Sequence, residues 1–269
     1  MRALWLTVAV FLIAIPMESS ALRSENRCVL AHPPEHTGHL LAEFKTDFGA
    51  GNHRRSNNVR LAAQQLDGVV LRPNARLSYN EQVGPRTQEA GFREANVILR
   101  GQMERKLGGG VCQPSSTLYA AALLGGFRIL ERKPHTWRSK YIAPGFDATV
   151  AWGQKDLVIR NPFPFAVRIE MEVGESHITA RLLGAEAPET WHEVMTSLVR
   201  KTEFETLIET DPSLRTDQIW IMNAGIPGGR FSRQRIQYNS ERRIRTEQLS
   251  DDIYRPRHSL VRIGPDLDS

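Results

Sequence analysis

Gly108-Gly109-Gly110-Val111-Cys112-Gln113-Pro114-Ser115-Ser116-Thr117-Leu118-Tyr119 is the stretch on which the reading of this chain turns. Pro114 fits the first helical position, where a missing amide hydrogen costs nothing. From Ser115 to Leu124 the residues are good helix formers, apolar on nearly every face, and Gly125-Gly126 supplies a terminator. The pattern predicts a short helix buried in the core with Cys112 just ahead of it. Unpaired amide hydrogens and the positive end of the helix dipole favour thiolate over thiol there, which is how a nucleophile is made. Gly109 and Gly110 allow close approach of a substrate backbone and could aim amide donors at a developing oxyanion. A tight turn needing positive φ angles would select the same glycines.

Outward from this motif the pattern turns to strands. Phe127 to Leu130, Thr149 to Trp152, Leu157 to Arg160 and Ala166 to Val173 read as strands, with turns at Pro144-Gly145, Gly153 and Asn161-Pro162. Upstream, Val59, Ala62, Ala63 and Leu66 lie at helical spacing within Asn58 to Leu66. Asp67-Gly68 breaks that helix, Val69 to Leu71 reads as a strand before Pro73, Gly84 to Gly91 is turn-rich, and Ala95 to Leu99 is a further strand. A helix packed on an antiparallel sheet is the simplest assembly, so the predicted class is α+β, with the main domain over 41–185. Ala185 to Glu189 reads as a linker. Residues 203–264 are strand-like, with turns at Pro227-Gly228-Gly229 and Asn239-Ser240, and their low apolar content predicts a small all-β module.

Thiol chemistry calls for a base. His135, in Lys133-Pro134-His135-Thr136-Trp137, follows the helix and one strand, so a returning chain could bring its imidazole to Cys112 as the second half of a nucleophile-plus-base pair. A loop histidine that is merely exposed fits the spacing equally. Asp147 and Asp156 are the nearest carboxylates that could orient the ring. Ser115 and Ser116 read as helix-capping or substrate-binding hydroxyls, and Gln113 as a substrate-binding amide. No compact ligand spacing for zinc is present, and no Lys-Ser or Lys-Thr pair follows the glycines to make a P-loop, so neither metal nor cofactor is expected.

The chain of 269 residues opens with Met1-Arg2, an apolar run from Ala3 to Pro16, and the small residues Ser19, Ser20 and Ala21. This is the pattern of a secretory signal peptide over 1–21, too short for the roughly 20 apolar residues that span a bilayer. A flexible leader over 22–40 is expected after it. Export to the periplasm or extracellular wall, with no membrane span after cleavage, follows. For an exported chain whose cysteines are Cys28 and Cys112, one bridge is the simplest expectation. Against it stands the placement of Cys28 in the leader. The net charge is +5, and nine arginines lie between Arg230 and Arg262 against Glu241, Glu247, Asp251 and Asp252. Outside the cell this excess suits anionic wall polymers and makes nucleic acid an unsuitable partner, although a solvated strand face would carry it equally well.

From Leu41 to Val173 the residues resemble the VanW domain family, named after an accessory protein of glycopeptide-resistance clusters. The likeness rests on Asn57-Asn58-Val59, Ser78-Tyr79-Asn80, Gly84-Pro85-Arg86-Thr87, Gly91-Phe92, Ala95, the glycine-cysteine motif itself, Glu131-Arg132, His135, Tyr141, Pro144-Gly145, Asp147 to Val150 and Asp156-Leu157. The tail resembles a diverged G5 domain through Asp211 to Leu214, Gly225, Gly228 and Tyr254-Arg255-Pro256 to Ile263-Gly264, with arginine and glutamine at several positions expected to be apolar.

The resemblance implies work on peptidoglycan, with stem peptides or wall glycans as partners and L,D-transpeptidation as the reaction. Under it Cys112 attacks the amide carbonyl before a terminal D-alanine, His135 moves the protons, and Arg86 binds a substrate carboxylate bidentately. A thiol peptidoglycan hydrolase and a non-catalytic wall-binding module remain as alternatives at this point.

Overall fold

The computed structural model describes residues 38–49, 52–99 and 102–265. The signal peptide, its cleavage point and Cys28, with any bridge it makes, lie outside the described residues. The first half runs β1 (His39–Asp47), α1 (His53–Leu66), β2 (Val70–Leu71), β3 (Arg76–Ser78), α2 (Tyr79–Val83), β4 (Glu94–Leu99), β5 (Gln102–Leu107) and α3 (Cys112–Leu124). It continues through β6 (Arg128–Glu131), β7 (Val158–Arg160), β8 (Val167–Val173) and β9 (His177–Gly184). The C-terminal part is β10 (Trp191–Thr202), β11 (Thr206–Thr210), β12 (Ile219–Asn223), β13 (Gly228–Tyr238), β14 (Arg243–Gln248), β15 (Asp252–Tyr254) and β16 (Ser259–Ile263).

The core forms where two periodicities meet. β8 alternates Val167, Ile169 and Met171 inward, and pairs antiparallel with β9 in a four-stranded sheet of order β1-β9-β8-β2. On this sheet lie both longer helices, α3 against β1 and β9, and α1 against β8. α1 buries Val59, Ala62, Ala63 and Leu66 along one stripe, and the Asn52 side chain caps its first turn by accepting from the Arg55 amide at 3.1 Å. α3 has no polar face, and every residue from Gln113 to Leu124 is buried. Its polar side chains therefore need partners inside the protein. Gln113 Nε2 donates to Thr46 Oγ1 at 3.0 Å, Thr46 and Thr117 share a hydrogen bond of 2.8 Å, and Arg55 Nη2 donates to Gln113 Oε1 at 2.7 Å. A small sheet of order β3-β7-β6 and the hairpin β4-β5 complete this half.

The C-terminal unit consists of two sheets. β10, β13 and β14 form one, with β15 also on β13, while β11, β16 and β12 form the other with β11 parallel to β16. Among the described residues no helix is long and apolar enough to cross a membrane.

Several boundaries differ from the sequence reading. The helix starts at Cys112, so Pro114 occupies its third position, whose amide also lacks an intrahelical acceptor. β1 begins at His39, inside the stretch taken as leader, because Leu40, Leu41 and Ala42 have a sheet face to bury. Thr149 to Trp152 is not a strand. The backbone there bonds elsewhere: Ala148 accepts from Ser115 Oγ and donates to Ser116 Oγ, and the Thr149 amide donates to Lys133 O at 2.8 Å. The C-terminal unit begins at Trp191, twelve positions before Glu203, since β10 pairs with β13 along its length. Nor is it a detached module: Arg235 Nη1 donates to Phe127 O at 2.8 Å, beyond the end of α3, and Arg233 Nη1 donates to Tyr119 Oη at 2.7 Å.

The triglycine is fixed by packing. A Cβ on Gly109 would stand 2.5 Å from the Ala95 carbonyl oxygen, a backbone atom of β4, while Gly108 and Gly110 have φ of 74° and 109°. Gly109→Ala should therefore displace the hairpin from the helix and cost about 2 kcal/mol, in the range of overpacked cores. Chemical denaturation of the variant against wild type checks this.

Candidate functional site

Cys112 is the first residue of α3 and the point where that helix emerges from the core, and it is half-buried while Gln113 behind it is fully covered. The turn before it is tied down by Tyr79, whose hydroxyl donates to Val111 O at 2.8 Å, and by Asn58, whose amide donates to Gly109 O at 2.9 Å. The non-helical segment after Asp147 runs across this helix end, and Cys112 Sγ lies 3.5 Å from Val150 O. His135 arrives from the loop after β6, near enough for its charge and that of Cys112 to act on each other. Its Nδ1 meets Asp147 Oδ2 at 2.6 Å, so the nitrogen facing the sulfur is Nε2. The His135 side chain keeps 20% of its surface exposed, whereas that of Asp147 keeps 2%.

Asp147 thus holds the His135 ring by a hydrogen bond, and that ring is coupled electrostatically to Cys112. Asp156 is held elsewhere, accepting from Ser78 Oγ and from the amides of Asn80 at 2.9 Å and Leu157 at 2.8 Å. Asp147 Oδ2 accepts also from the His135 amide at 2.6 Å, and Oδ1 from Arg132 Nη2 at 3.1 Å and Tyr254 Oη at 2.5 Å. Tyr141 stands edge-on to His135 with ring centroids 6.3 Å apart, and its hydroxyl donates to the Cys112 carbonyl at 3.3 Å.

The charges of Cys112, His135 and Asp147 reinforce one another. Burial pushes the Cys112 thiol up, but the hydrogen bond and positive charge of His135, the Val150 backbone and the Arg86 guanidinium outweigh it and leave the thiol below its ordinary value. Burial opposes protonation of His135, yet Asp147 and Cys112 hold the imidazole up at about 9. Asp147 is drawn down to about 2, burial being outweighed by His135, Arg132 and Tyr254. The arrangement favours thiolate beside imidazolium.

Other predicted site residues behave differently. Ser115, Ser116 and Gln113 are each fully buried and bonded within the protein, Ser115 Oγ donating to Ala148 O at 3.1 Å and Ser116 Oγ to Cys112 O at 2.7 Å. Gly109 is buried and its amide donates to Lys106 O at 3.3 Å, so it offers nothing to an oxyanion. The amides of Gly110 and Cys112 meet no acceptor among the described residues. Arg86 lies over the rings of Tyr79 and Trp152, at 5.4 and 5.9 Å, and Nη1 donates to Gly84 O at 3.0 Å. Its Nε and Nη2 are buried and have no hydrogen-bond partner among the described residues. Among the described residues no group of three or more His, Cys, Asp or Glu side chains could hold a metal ion. The sequence reading gave no role to Arg132, Tyr141 or Tyr254, although all three stand among the residues that carry the family likenesses.

Residues 54–183 match the family described as VanW like protein, and the chain carries a VanW-family domain there. Uncharacterized protein YoaR of Bacillus subtilis (strain 168) is similar to it, with 38% identity over 141 residues covering 52% of this chain and 46% of that protein. Vancomycin B-type resistance protein VanW of Enterococcus faecalis (strain ATCC 700802 / V583) is 23% identical over 167 residues, covering 56% of this chain and 60% of the other. The chain spans about half the length of the curated relatives it matches. Among solved structures, the IgA1 protease G5 domain is 19% identical over 29% of this chain and 88% of its own, with a TM-score of 0.21. The HP0197 G5 domain is 16% identical over 28% and 95%, with a TM-score of 0.17.

The ion pair has a pH signature. His135, raised above the ordinary imidazole value, contributes fully below about 6.5 and loses that contribution as pH rises through about 9. Iodoacetamide should consequently alkylate Cys112 at mildly acidic pH, where an ordinary thiol of pKa about 8.5 is protonated. In His135→Ala the onset should move to alkaline pH. Mass-spectrometric peptide mapping over a pH series, which separates Cys112 from Cys28, reads both.

Proposed function

We propose that this is an exported cell-envelope protein that carries out cysteine-dependent acyl transfer on peptidoglycan stem peptides, of the L,D-transpeptidase type. The observation that carries the reading is the His135–Asp147 hydrogen bond beside Cys112, with the thiol lowered, the imidazole raised and Cys112 half-buried at the start of a helix. Such an assembly is the equipment of a nucleophile with its base and orienting carboxylate. The similarity to a vancomycin resistance protein supports a wall peptide as the substrate, and the apolar amino-terminal run supports export.

The chemistry follows from the protonation states. The Cys112 thiolate attacks the amide carbonyl that precedes the terminal D-alanine, forming the S–C bond while the carbonyl π electrons move to oxygen. The amides of Gly110 and Cys112, which meet no acceptor among the described residues, are the donors we assign to that oxyanion. His135, already protonated, gives its Nε2 proton to the departing amine as the C–N bond breaks, which releases D-alanine and leaves a thioester. An acceptor amine then attacks the thioester, His135 takes its proton, and the thiolate returns. Arg86, whose guanidinium charge acts on the Cys112 sulfur, is our candidate to attract the free carboxylate of the donor peptide.

Purified mature protein incubated with stem tetrapeptide and an amine acceptor should release D-alanine and form the cross-linked product. Cys112→Ala should reduce turnover at least about a thousandfold, as loss of a nucleophile does, without changing the melting temperature by more than a few degrees. Cleaved peptide without cross-linked product would assign hydrolysis instead. Turnover that survives in Cys112→Ala would overturn the proposal.

A further inference from the structure

Asp147 is reached from behind by the C-terminal β unit. Tyr254 on β15 is 1% exposed, and its hydroxyl accepts from the Gly145 amide at 2.8 Å, so its own proton points to Asp147 Oδ1 at 2.5 Å. Two residues earlier, Asp252 is also 1% exposed and shares Arg132 with Asp147: Arg132 Nη1 donates to Asp252 Oδ1, and Nη2 to Asp147 Oδ1 at 3.1 Å. Arg233 on β13 closes the group, 3.2 Å from Asp252 Oδ2. The loop carrying His135 is held by the same strand end, since the Arg255 amide donates to Thr136 O at 2.7 Å. β15 in turn is fastened to β13 with Tyr254 opposite Gly229 and Asp252 opposite Phe231.

Resting on the reading of Cys112 and His135 as a working pair, we propose that the C-terminal β unit is an integral part of the thiol site. In this arrangement Tyr254 and Asp252 act as positioning residues that set how strongly Asp147 holds the proton on His135. The physical sign differs between the two. Tyr254 draws charge from Oδ1, weakening the pull of Asp147 on the imidazolium. Asp252 occupies one edge of Arg132, so that less of that guanidinium is spent on Asp147, and it adds negative potential behind it. One therefore lowers the hold on the proton and the other raises it. The remaining charged and titratable groups facing the pair are Cys112 itself, Tyr141 from the loop after β6, and Arg86, whose charge acts on the sulfur.

Tyr254→Phe should raise the titration midpoint of His135, and Asp252→Asn should lower it. Each shift should be roughly half a unit, since each group acts on His135 only through Asp147. The measurement is the His135 ring C–H resonance of the full chain followed against pH by NMR, assigned by its loss in His135→Ala, with the Cys112 alkylation profile as an independent reading. If the site were merely destabilised, both variants would move His135 downward towards an ordinary imidazole, and that result overturns the proposal, as does an unchanged midpoint in both. Should Tyr254→Phe fail to fold, Asp252→Asn carries the test alone, read below its own melting transition, with a downward shift of roughly half a unit expected, whereas an unchanged midpoint or a fall to that of an ordinary imidazole overturns it. Because neither reading requires turnover, absence of acyl transfer by the wild type would defeat the proposed function and leave this inference to be decided separately.

Discussion

One buried carboxylate organises the molecule. Asp147 is 1% exposed, and an isolated ionised carboxylate in such a place would cost many kcal/mol. The protein meets that cost by aiming at it the amide and ring of His135, the guanidinium of Arg132 and the hydroxyl of Tyr254. Satisfying the charge thus requires the loop after β6, the segment crossing α3 and the strand β15 to converge on one point. Breaking a buried pair by removing one partner typically costs 3–5 kcal/mol, about the stability margin of a small domain, so these three pieces are ordered together or not at all.

α3 supplies the opposite wall. Because it is apolar around its circumference, it can only lie in the interior, and its few polar side chains are turned into braces: Gln113 and Thr117 to β1 and α1, Ser115 and Ser116 to the chain at Ala148. Those serine contacts replace strand pairing for the Asp147–Val150 segment and bring Val150 against the Cys112 sulfur. Cys112 is the one residue of α3 that keeps part of its surface exposed, because it stands at the very start of the helix while the rest of the first turn is already covered. Placement of the nucleophile and stability of the core are consequences of the same packing.

What the sequence disclosed followed from how local each signal is. The glycine-cysteine motif and the apolar run after it are contiguous, and they locate the helix to within a few residues. His135 and Asp147 were legible as candidates because each lies within a short stretch of the other, but two carboxylates remained equal until the chain path put Asp156 on Ser78 and Asn80. The bonds of the serines and Gln113 were hidden: a polar residue beside a nucleophile looks like a substrate contact, and nothing local tells that its partner is a backbone carbonyl over thirty positions away or a threonine of β1. Arg132 and Tyr254 went without a role for the same reason, since they meet Asp252 and Asp147 from 120 and 107 positions away. β10 was overlooked because its mixed sequence, Trp191 to Thr202, has no clear alternation; pairing with β13 makes it a strand.

The charge count of the cluster explains where a substrate would add most. With Cys112 and His135 as an ion pair, the neighbouring groups fall into three opposed pairs: Cys112 with His135, Asp147 with Arg132, and Asp252 with Arg233. The buried ensemble is then neutral as a whole, which is the condition under which so many charges can be held inside a protein. Arg86 stands outside that balance. Its guanidinium lies close enough to act on the sulfur, packs over the Trp152 ring, and among the described residues has no carboxylate partner and leaves its buried Nε and Nη2 without acceptors. An anionic group arriving next to Cys112 would complete the neutralisation on that side and satisfy those donors. A neutral or cationic group would leave the excess in place, so the charge balance around Cys112 favours an anion on that side.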